Sequence, residues 1–258
     1  MQPENLSMPV SKDVRVGCSG WVYRHWKDGF YPVGLTQKRW FEHYASQFDT
    51  VEINASFYRI PLESTFDGWR SKAPTGFRYA VKANRFLTHM KKLLDCEEPL
   101  AQFLALARRL GPALGPILYQ LPPSLHKDLP RLDAFLERLP RDIEHVVEFR
   151  HASWYSPDAL ALLDSHGVGF VAHDLVGHVS PRWACGRTAY VRFHGTAGKY
   201  RGRYSEQVMA DWARWLSRQC EDGRSANRAY PERRRALSGR AWRTASKTEP
   251  RPQRPVLG

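Results

Sequence analysis

Three short runs combine β-forming residues with charged or polar residues at alternate positions, and this pattern constrains the fold more than any other feature. The runs are Val51–Tyr58, Val147–His151 and Tyr190–Gly195. Strands of a parallel sheet covered by helices on both faces read instead as nearly continuous apolar runs. Charge carried inward near strand ends therefore favours a closed barrel with a polar pocket at one mouth.

Side chains of a strand alternate between its two faces, so the same runs assign residues to faces. The positions expected to pack against covering helices are Val51, Ile53, Val147, Phe149, Val191 and Phe193. The positions expected on the opposite face are Glu52, Asn54, Glu148, Arg150, Arg192 and His194.

Strand and helix signals alternate along the chain, which indicates a parallel sheet because each helical crossover returns the chain to the same edge. An open doubly wound sheet is the competing fold, but no G-x-G-x-x-G follows the first strand, and Gly17–Gly20 does not replace it. We therefore predict an α/β, TIM-like (βα)₈ barrel that lacks a normal eighth strand and final helix. The seven predicted strands are Val14–Cys18, Thr50–Asn54, Phe77–Lys82, Pro116–Leu121, Ile143–Arg150, Val168–Asp174 and Ala189–His194.

A chain of 258 residues suits one barrel-sized domain. We expect an N-terminal tail over residues 1–13, the barrel over 14–220 and a basic, disordered tail over 221–258. The tail is rich in Arg, Ala, Ser and Pro, and no stretch of it alternates like a strand. A sharper hypothesis is that a change of reading frame in the gene has replaced the native C-terminal end. A shifted frame of the DNA that encodes a β-strand followed by a helix would support it.

Composition bears on location and partners. No apolar run reaches the ~18 residues of a membrane span, and residues 1–13 lack the apolar core of a signal peptide. Four well-separated cysteines suit reduced thiols, so a cytoplasmic protein without a membrane partner is expected. The net charge of +13 makes nucleic acid a candidate partner, although the tail, with ten Arg or Lys and four Asp or Glu, supplies +6 of it.

Six groups of motifs occur in order along the chain, namely Gly17–Tyr23 with Trp26 and Phe30–Pro32, Val51–Pro61, Phe77–Lys82 with Thr88 and His89, Leu114–Pro123, Val147–Trp154 and Tyr190–Gly195. Together these motifs resemble the YecE-like proteins, domain of unknown function 72. The resemblance covers roughly Val14 to Cys220. It implies a TIM-like barrel with a pocket at the C-terminal ends of the strands, but no activity. The chain departs from the family at its end, where Tyr230–Arg235 replaces an aromatic strand and a Phe-Asn-Asn-like motif.

Barrel enzymes build their active sites at the C-terminal ends of the strands and in the loops that follow. The catalytic candidates are Glu148 and His194, with Glu52 and Asp174 as weaker ones; His173 is the alternative to Asp174 as the inward residue of its strand. The ligand-binding candidates are Arg192, Arg150, Lys82, Asn54, Gln120, Trp21, Tyr23, Tyr58, His89, His151, Trp154 and Tyr200.

Four interpretations of these residues remain open. Two carboxylates suit glycosidase or general acid–base chemistry, although nearby cations would keep both ionised. Carboxylates and histidines can hold a metal ion, but the neighbouring cations would repel it, so a metal is not favoured. The arginines and Lys82 suit a phosphate or carboxylate, with aromatic loops stacking on its neutral part. The charges could also pair with one another in a purely structural network.

The sequence thus favours a pocket that binds or acts on a small anionic, sugar- or nucleotide-like ligand. Arg192, Arg150 and Lys82 would hold the anion, and His194 or Glu148 would move a proton. A metal-assisted phosphodiester hydrolase or a nucleic-acid-binding protein is the alternative. No nucleotide-cofactor motif is present. Neither the reaction nor the oligomeric state follows from the sequence.

Overall fold

The computed structural model describes residues 14–196, 202 and 204–230. Over this part of the chain, eight parallel strands close into a barrel in the order β1-β2-β3-β4-β5-β6-β8-β9, and β9 pairs with β1. The short β7 is an antiparallel addition to β6. The strands are β1 (Val14–Cys18), β2 (Thr50–Ile53), β3 (Arg78–Lys82), β4 (Leu114–Gln120), β5 (His145–Glu148), β6 (Gly169–Leu175), β7 (His178–Val179), β8 (Thr188–Phe193) and β9 (Ser225–Tyr230).

Helices connect the successive barrel strands, as the sequence predicts, except between β6 and β8, where the chain forms β7 and no helix. Helix α5 begins after Asp128, whose side chain accepts a hydrogen bond from the Arg131 N–H, and α7 begins after Ser205, which caps Val208 in the same way. The α-helices are α1 (Trp40–Gln47), α2 (Ala55–Tyr58), α3 (Glu63–Lys72), α4 (Glu97–Arg108), α5 (Leu129–Leu136), α6 (Pro157–Ser165) and α7 (Glu206–Glu221). A π-helix spans Phe86–Met90, and 3₁₀ turns span Arg24–Trp26, Gln37–Arg39, Gly111–Ala113 and Ala152–Trp154.

Two separate apolar clusters occupy the two faces of the barrel wall. The larger cluster lies between strands and helices, and it contains all six positions that the alternation assigned to the helix-facing side. A smaller cluster fills the barrel interior and consists of Ala80, Leu118, Val146, Val171 and Tyr190. The predicted assignment of faces is therefore confirmed, and the interior is packed rather than open.

Gly17 has a packing role in β1. A Cβ atom at this position would lie 2.0 Å from the carbonyl oxygen of Thr50 on β2, so only glycine allows the two strands to pair here. This close approach explains a glycine at the end of the first strand without a phosphate-binding loop.

The TIM-like barrel is confirmed, but the expectation that it lacks an eighth strand is wrong. Ser225–Tyr230 forms β9 and pairs in parallel with both β8 and β1, which closes the barrel. The strand begins five residues beyond the predicted boundary at 220. Its small residues carry no apolar alternation, and buried Ala226 contributes little hydrophobic signal. Pairing with β8 and β1, rather than a hydrophobic pattern of its own, therefore determines where β9 forms.

Several predictions fall outside the described residues. These are the N-terminal tail over 1–13, the final helix, and the disorder or altered reading frame beyond Tyr230.

Closure by β9 can be tested with a matched pair of substitutions. Ala226→Asp would bury an unpaired carboxylate between β1 and β8, and we expect it to lower the free energy of unfolding by about 3 kcal/mol or more. Ala101→Asp makes the same change at an exposed position of α4 and should cost less than about 1 kcal/mol. Urea unfolding monitored by circular dichroism measures both. Equal stability of the two variants would contradict closure by this strand.

Candidate functional site

The strand alternation places a polar layer directly above the apolar cluster in the barrel interior. On each of five strands, an apolar residue of the interior cluster is followed two positions later by a polar residue. The pairs are Ala80 and Lys82, Leu118 and Gln120, Val146 and Glu148, Val171 and His173, and Tyr190 and Arg192. Since these polar residues lie at or near the C-terminal ends of parallel strands, they meet at one mouth of the barrel.

Arg192 joins two carboxylates across the barrel interior. Its Nε and Nη2 donate to the two oxygens of Glu52 at 3.0 and 2.7 Å, and its Nη1 donates to Glu148 Oε2 at 2.6 Å. Tyr190 and Asn54 also donate to Glu52, at 2.9 and 3.1 Å. All three charged groups are buried, with Arg192 only 5% exposed. This cluster is fully desolvated, and its charges are held by one another.

The cations keep both acids ionised. Burial alone would raise the pKa of Glu52, but the charge and hydrogen bonds of Arg192 prevail and lower it. Burial likewise opposes ionisation of Glu148, yet Arg150 and Arg192 hold its pKa well below the ordinary value of 4.5. Neither carboxyl group carries a proton to donate at neutral pH.

Arg150 lies above this cluster on the solvent side. Its Nε forms an ion pair with Glu148 Oε1, and its side chain is 11% exposed. Its Nη2 donates to His194 Nε2 at 3.2 Å. Because arginine only donates, this contact makes Nε2 the acceptor and places the proton of the neutral imidazole on Nδ1. Burial first, and then Arg192, lower the pKa of His194 to about 3, so the ring is neutral at pH 7.

Lys82 differs from the two arginines in its partners. Its Nζ donates to the amide oxygen of Gln120 at 2.7 Å and lies 4.1 Å from the ring centroid of Phe57. Lys82 is buried, with only 8% of the residue exposed. Even so, no carboxylate of the described residues lies within 4 Å of its ammonium group. Burial, and then repulsion by Arg192, lower its pKa to about 8.

The loop candidates divide into rim and packing residues. His89 stands against Phe57 with ring centroids 5.0 Å apart, and burial and then Lys82 lower its pKa to about 4. Tyr58 is 73% exposed beside the same phenylalanine. His151 stacks on His126 at 3.9 Å and bonds to the Ser153 hydroxyl.

The remaining aromatic candidates pack into the structure. Trp154 is buried flat against Phe149 and donates to the Leu125 carbonyl at 2.8 Å. Trp21 packs edgewise on Phe41 and Trp69, and Tyr23 donates to the Ser19 carbonyl and contacts Trp26. Tyr200 lies outside the described residues.

Sixth-strand register selects His173 rather than Asp174 as the inward residue. His173 is buried and in register with Arg192, whereas Asp174 accepts a hydrogen bond from the Tyr204 hydroxyl at 2.6 Å. The expectation that Asp174 joins the network is wrong because it lies one position out of phase with the inward residues. Tyr190 was missed as a site residue, although its spacing of two from Arg192 could have identified it.

Two clefts of the described structure lie at the opposite end of the barrel. One of about 150 Å³ is lined by Arg15, Arg78, Gly115, Pro116, Glu144, Ser225, Ala226 and Asn227, at the N-terminal ends of the strands. In barrel enzymes that end serves stability rather than catalysis, so the mouth containing Arg150 and Lys82 remains the better candidate site. The described residues contain no group of three His, Cys, Asp or Glu side chains placed to hold a metal ion.

Comparison with known proteins identifies the family. The model of the family described as "Protein of unknown function DUF72" matches residues 15–245. The chain belongs to this family. No helix in the described part of the chain is both long enough and apolar enough to cross a membrane.

Relatives and solved structures agree with this assignment. The chain is 28% identical over 144 residues to UPF0759 protein YecE of Escherichia coli K12, a match that spans 55% of the chain and half of that protein's length. It is 27% identical to UPF0759 protein YunF of Bacillus subtilis 168, over 81% of the chain and 86% of that protein. A DUF72 family crystal structure from Thermotoga maritima MSB8 superposes with a TM-score of 0.75 at 26% identity, covering 91% of this chain and 96% of the other. A second from Enterococcus faecalis V583, at 18% identity and a TM-score of 0.71, covers 90% and 92% and shares the fold.

The lowered pKa of Glu148 predicts a pH-dependent cost of removing its charge. Glu148→Gln should lower the free energy of unfolding by about 3–5 kcal/mol at pH 7, because it breaks a buried ion pair. A carboxyl group whose pKa falls on folding stabilises the protein above its unfolded pKa, and this contribution is lost as the pH falls below about 4.5. The difference between wild type and variant should therefore shrink from pH 5 toward pH 3.

Glu137→Gln is the control, since it makes the same change at an exposed site. Its effect should stay within about 0.5 kcal/mol. Denaturant unfolding across this pH range measures both variants. A Glu148→Gln cost that is independent of pH would contradict the ionised state of this residue.

Proposed function

We propose that the C-terminal mouth of the barrel binds a small phosphorylated or carboxylated ligand. The supporting observation is an excess of buried positive charge. Among the described residues, the three cations Arg192, Arg150 and Lys82 share this mouth with two carboxylates, Glu52 and Glu148. Because a buried charge is costly unless it is paired, an anion at the mouth would complete the set.

The contacts indicate which cations would hold the ligand. Arg192 is buried and donates three of its five N–H groups to Glu52 and Glu148, so its role is to orient these two carboxylates. Arg150 is nearer to solvent, and a guanidinium has five N–H donors, of which Glu148 and His194 occupy only part. Arg150 therefore contributes the main clamp for an anionic group, with Lys82 as the neighbouring positive charge.

The protonation states favour binding over proton transfer by the groups singled out in the sequence. Glu148 is held ionised by two arginines, and His194 is held neutral with a pKa of about 3. A general acid or base works best with a pKa near the working pH. Neither residue meets this condition, so in this proposal His194 and Glu148 position Arg150.

Two alternatives explain less of the arrangement. A purely structural network accounts for Arg192, whose partners are both carboxylates, but it leaves Lys82 buried beside a neutral amide. A metal-assisted phosphodiester hydrolase would require a cation among these positive side chains. Nucleic acid would bring phosphates to the same mouth and therefore shares the chemistry of the proposal.

Isothermal titration with inorganic phosphate and with ribose 5-phosphate tests the proposal. We expect Arg150→Met to weaken binding by about tenfold or more, since charged hydrogen bonds contribute about 1.5–3 kcal/mol. Arg141→Met removes the same charge from an exposed position before β5, at the opposite end of the barrel, and should bind like wild type.

The melting temperature gives a second readout of the same variants, because a ligand at 100 times its Kd stabilises the folded state by about 2.7 kcal/mol. Phosphate also stabilises proteins without binding, and this effect should be equal in the two variants. Equal affinity and equal thermal shifts for Arg150→Met and Arg141→Met would refute the anion site and leave the structural network as the explanation.

A further inference from the structure

Lys82 combines three properties that a purely structural lysine rarely has. It is buried, it stands at the C-terminal end of a barrel strand, and its hydrogen-bond partner is the uncharged side chain of Gln120. Lysine is almost never fully buried unless it is paired with an opposite charge. We propose that Lys82 is a nucleophile that forms an imine with the carbonyl group of a small anionic aldehyde or ketone. This inference rests on the proposed function, since Arg150 would hold the anionic group of the same molecule.

The immediate surroundings of the amine suit this role. The Gln120 amide oxygen, 2.7 Å away, can accept one N–H of a neutral amine and so direct its lone pair elsewhere. The ring of Phe57 covers one side at 4.1 Å and limits access of water. Gln120 itself is partly exposed, so the amine lies next to a side chain that reaches solvent. A ligand of a few carbon atoms would therefore approach from the mouth.

The electrostatic environment supports the same chemistry. Burial and the neighbouring Arg192 lower the pKa of this amine to about 8 from an ordinary value of 10.5. At pH 7 such a group is about one-tenth neutral, compared with roughly one part in three thousand for an ordinary lysine. Desolvation and nearby cations are the means by which imine-forming lysines are activated in general.

The reaction balances without a further reagent. The neutral amine attacks the carbonyl carbon, the π electrons of the C=O bond move to oxygen, and that oxygen takes up the proton that the ammonium group released. The resulting carbinolamine loses its hydroxyl group as water after a second proton transfer. The sum is one ammonium ion plus one carbonyl compound giving one iminium ion plus one water molecule. The carboxylate or phosphate of the ligand remains on Arg150 throughout.

Reductive trapping tests the inference on the full chain. The protein is incubated with pyruvate from pH 6 to pH 10, quenched with sodium borohydride and mapped by peptide mass spectrometry. Reduction of the imine leaves the mass of pyruvic acid less one oxygen atom on the modified lysine. At pH 7 we expect on the order of tenfold or more adduct at Lys82 than at the exposed Lys38 and Lys72, because a pKa of about 8 leaves about one-tenth of the Lys82 amine neutral.

The pH profile separates an activated lysine from an accessible one. Trapping at Lys82 should reach a plateau as the pH passes about 8, whereas an amine with the ordinary lysine pKa of about 10.4 is still becoming neutral at pH 10. Lys82→Arg keeps the positive charge and should abolish the adduct in its peptide. The wild-type map locates the adduct even if this variant folds poorly. The inference would be overturned if the amount of adduct simply increased with the solvent exposure of each lysine, or if the adduct at Lys82 showed no plateau with pH.

Arg150→Met distinguishes this inference from the proposed function. Loss of both phosphate binding and most of the Lys82 adduct would support the two together. Phosphate binding in wild type without any Lys82 adduct would overturn the nucleophile and leave the anion site intact. A Lys82 adduct that Arg150→Met does not reduce, together with absent phosphate binding, would keep the nucleophile and overturn the anion site.

Discussion

The arrangement of the barrel interior depends on the guanidinium of Arg192, which joins Glu52 of β2 to Glu148 of β5. These residues are 140 and 44 positions away from Arg192 in sequence, so they meet only after the sheet has closed. Desolvating such a cluster costs about as much as its attraction returns, but leaving one member unpaired costs several kcal/mol. The cluster therefore contributes little net stability, but it strongly disfavours any strand register that separates its members. Register and closure are in this way tied to the same three side chains.

The regular alternation of the strands explains why so much of this arrangement follows from the sequence. A residue two positions from an apolar interior residue must lie on the same face, one layer higher. Val146 and Glu148 on β5, like Tyr190 and Arg192 on β8, obey this rule. The sequence therefore predicts the faces of the strands and the convergence of the charged residues at one mouth. Both follow from local geometry, which requires no knowledge of distant contacts.

Other features depend on contacts that the sequence does not encode locally. The eighth barrel strand, β9, contains small residues such as Ala226 and has no apolar alternation by which the sequence could reveal it. It is held in place by backbone pairing with β1 on one side and β8 on the other. The choice between His173 and Asp174 depends on where β6 begins, and a shift of one residue reverses the faces. Nor does the sequence distinguish Arg192, which contacts two carboxylates, from Lys82, whose hydrogen-bond partner is the neutral Gln120. That distinction comes from distances across the barrel interior.

The contrast between these two cations bears most directly on function. A network that serves only to fix the fold gains nothing from an additional buried ammonium group, because no carboxylate in the described part of the chain contacts that group directly to offset its desolvation. Lys82 could be replaced by an apolar residue that packs on Phe57 at lower cost, as buried ion pairs elsewhere can be replaced by apolar residues. The residue that the packing explains least well is thus the one that most needs a ligand. Its position at the mouth, beside the partly exposed Arg150, is where such a ligand could reach it.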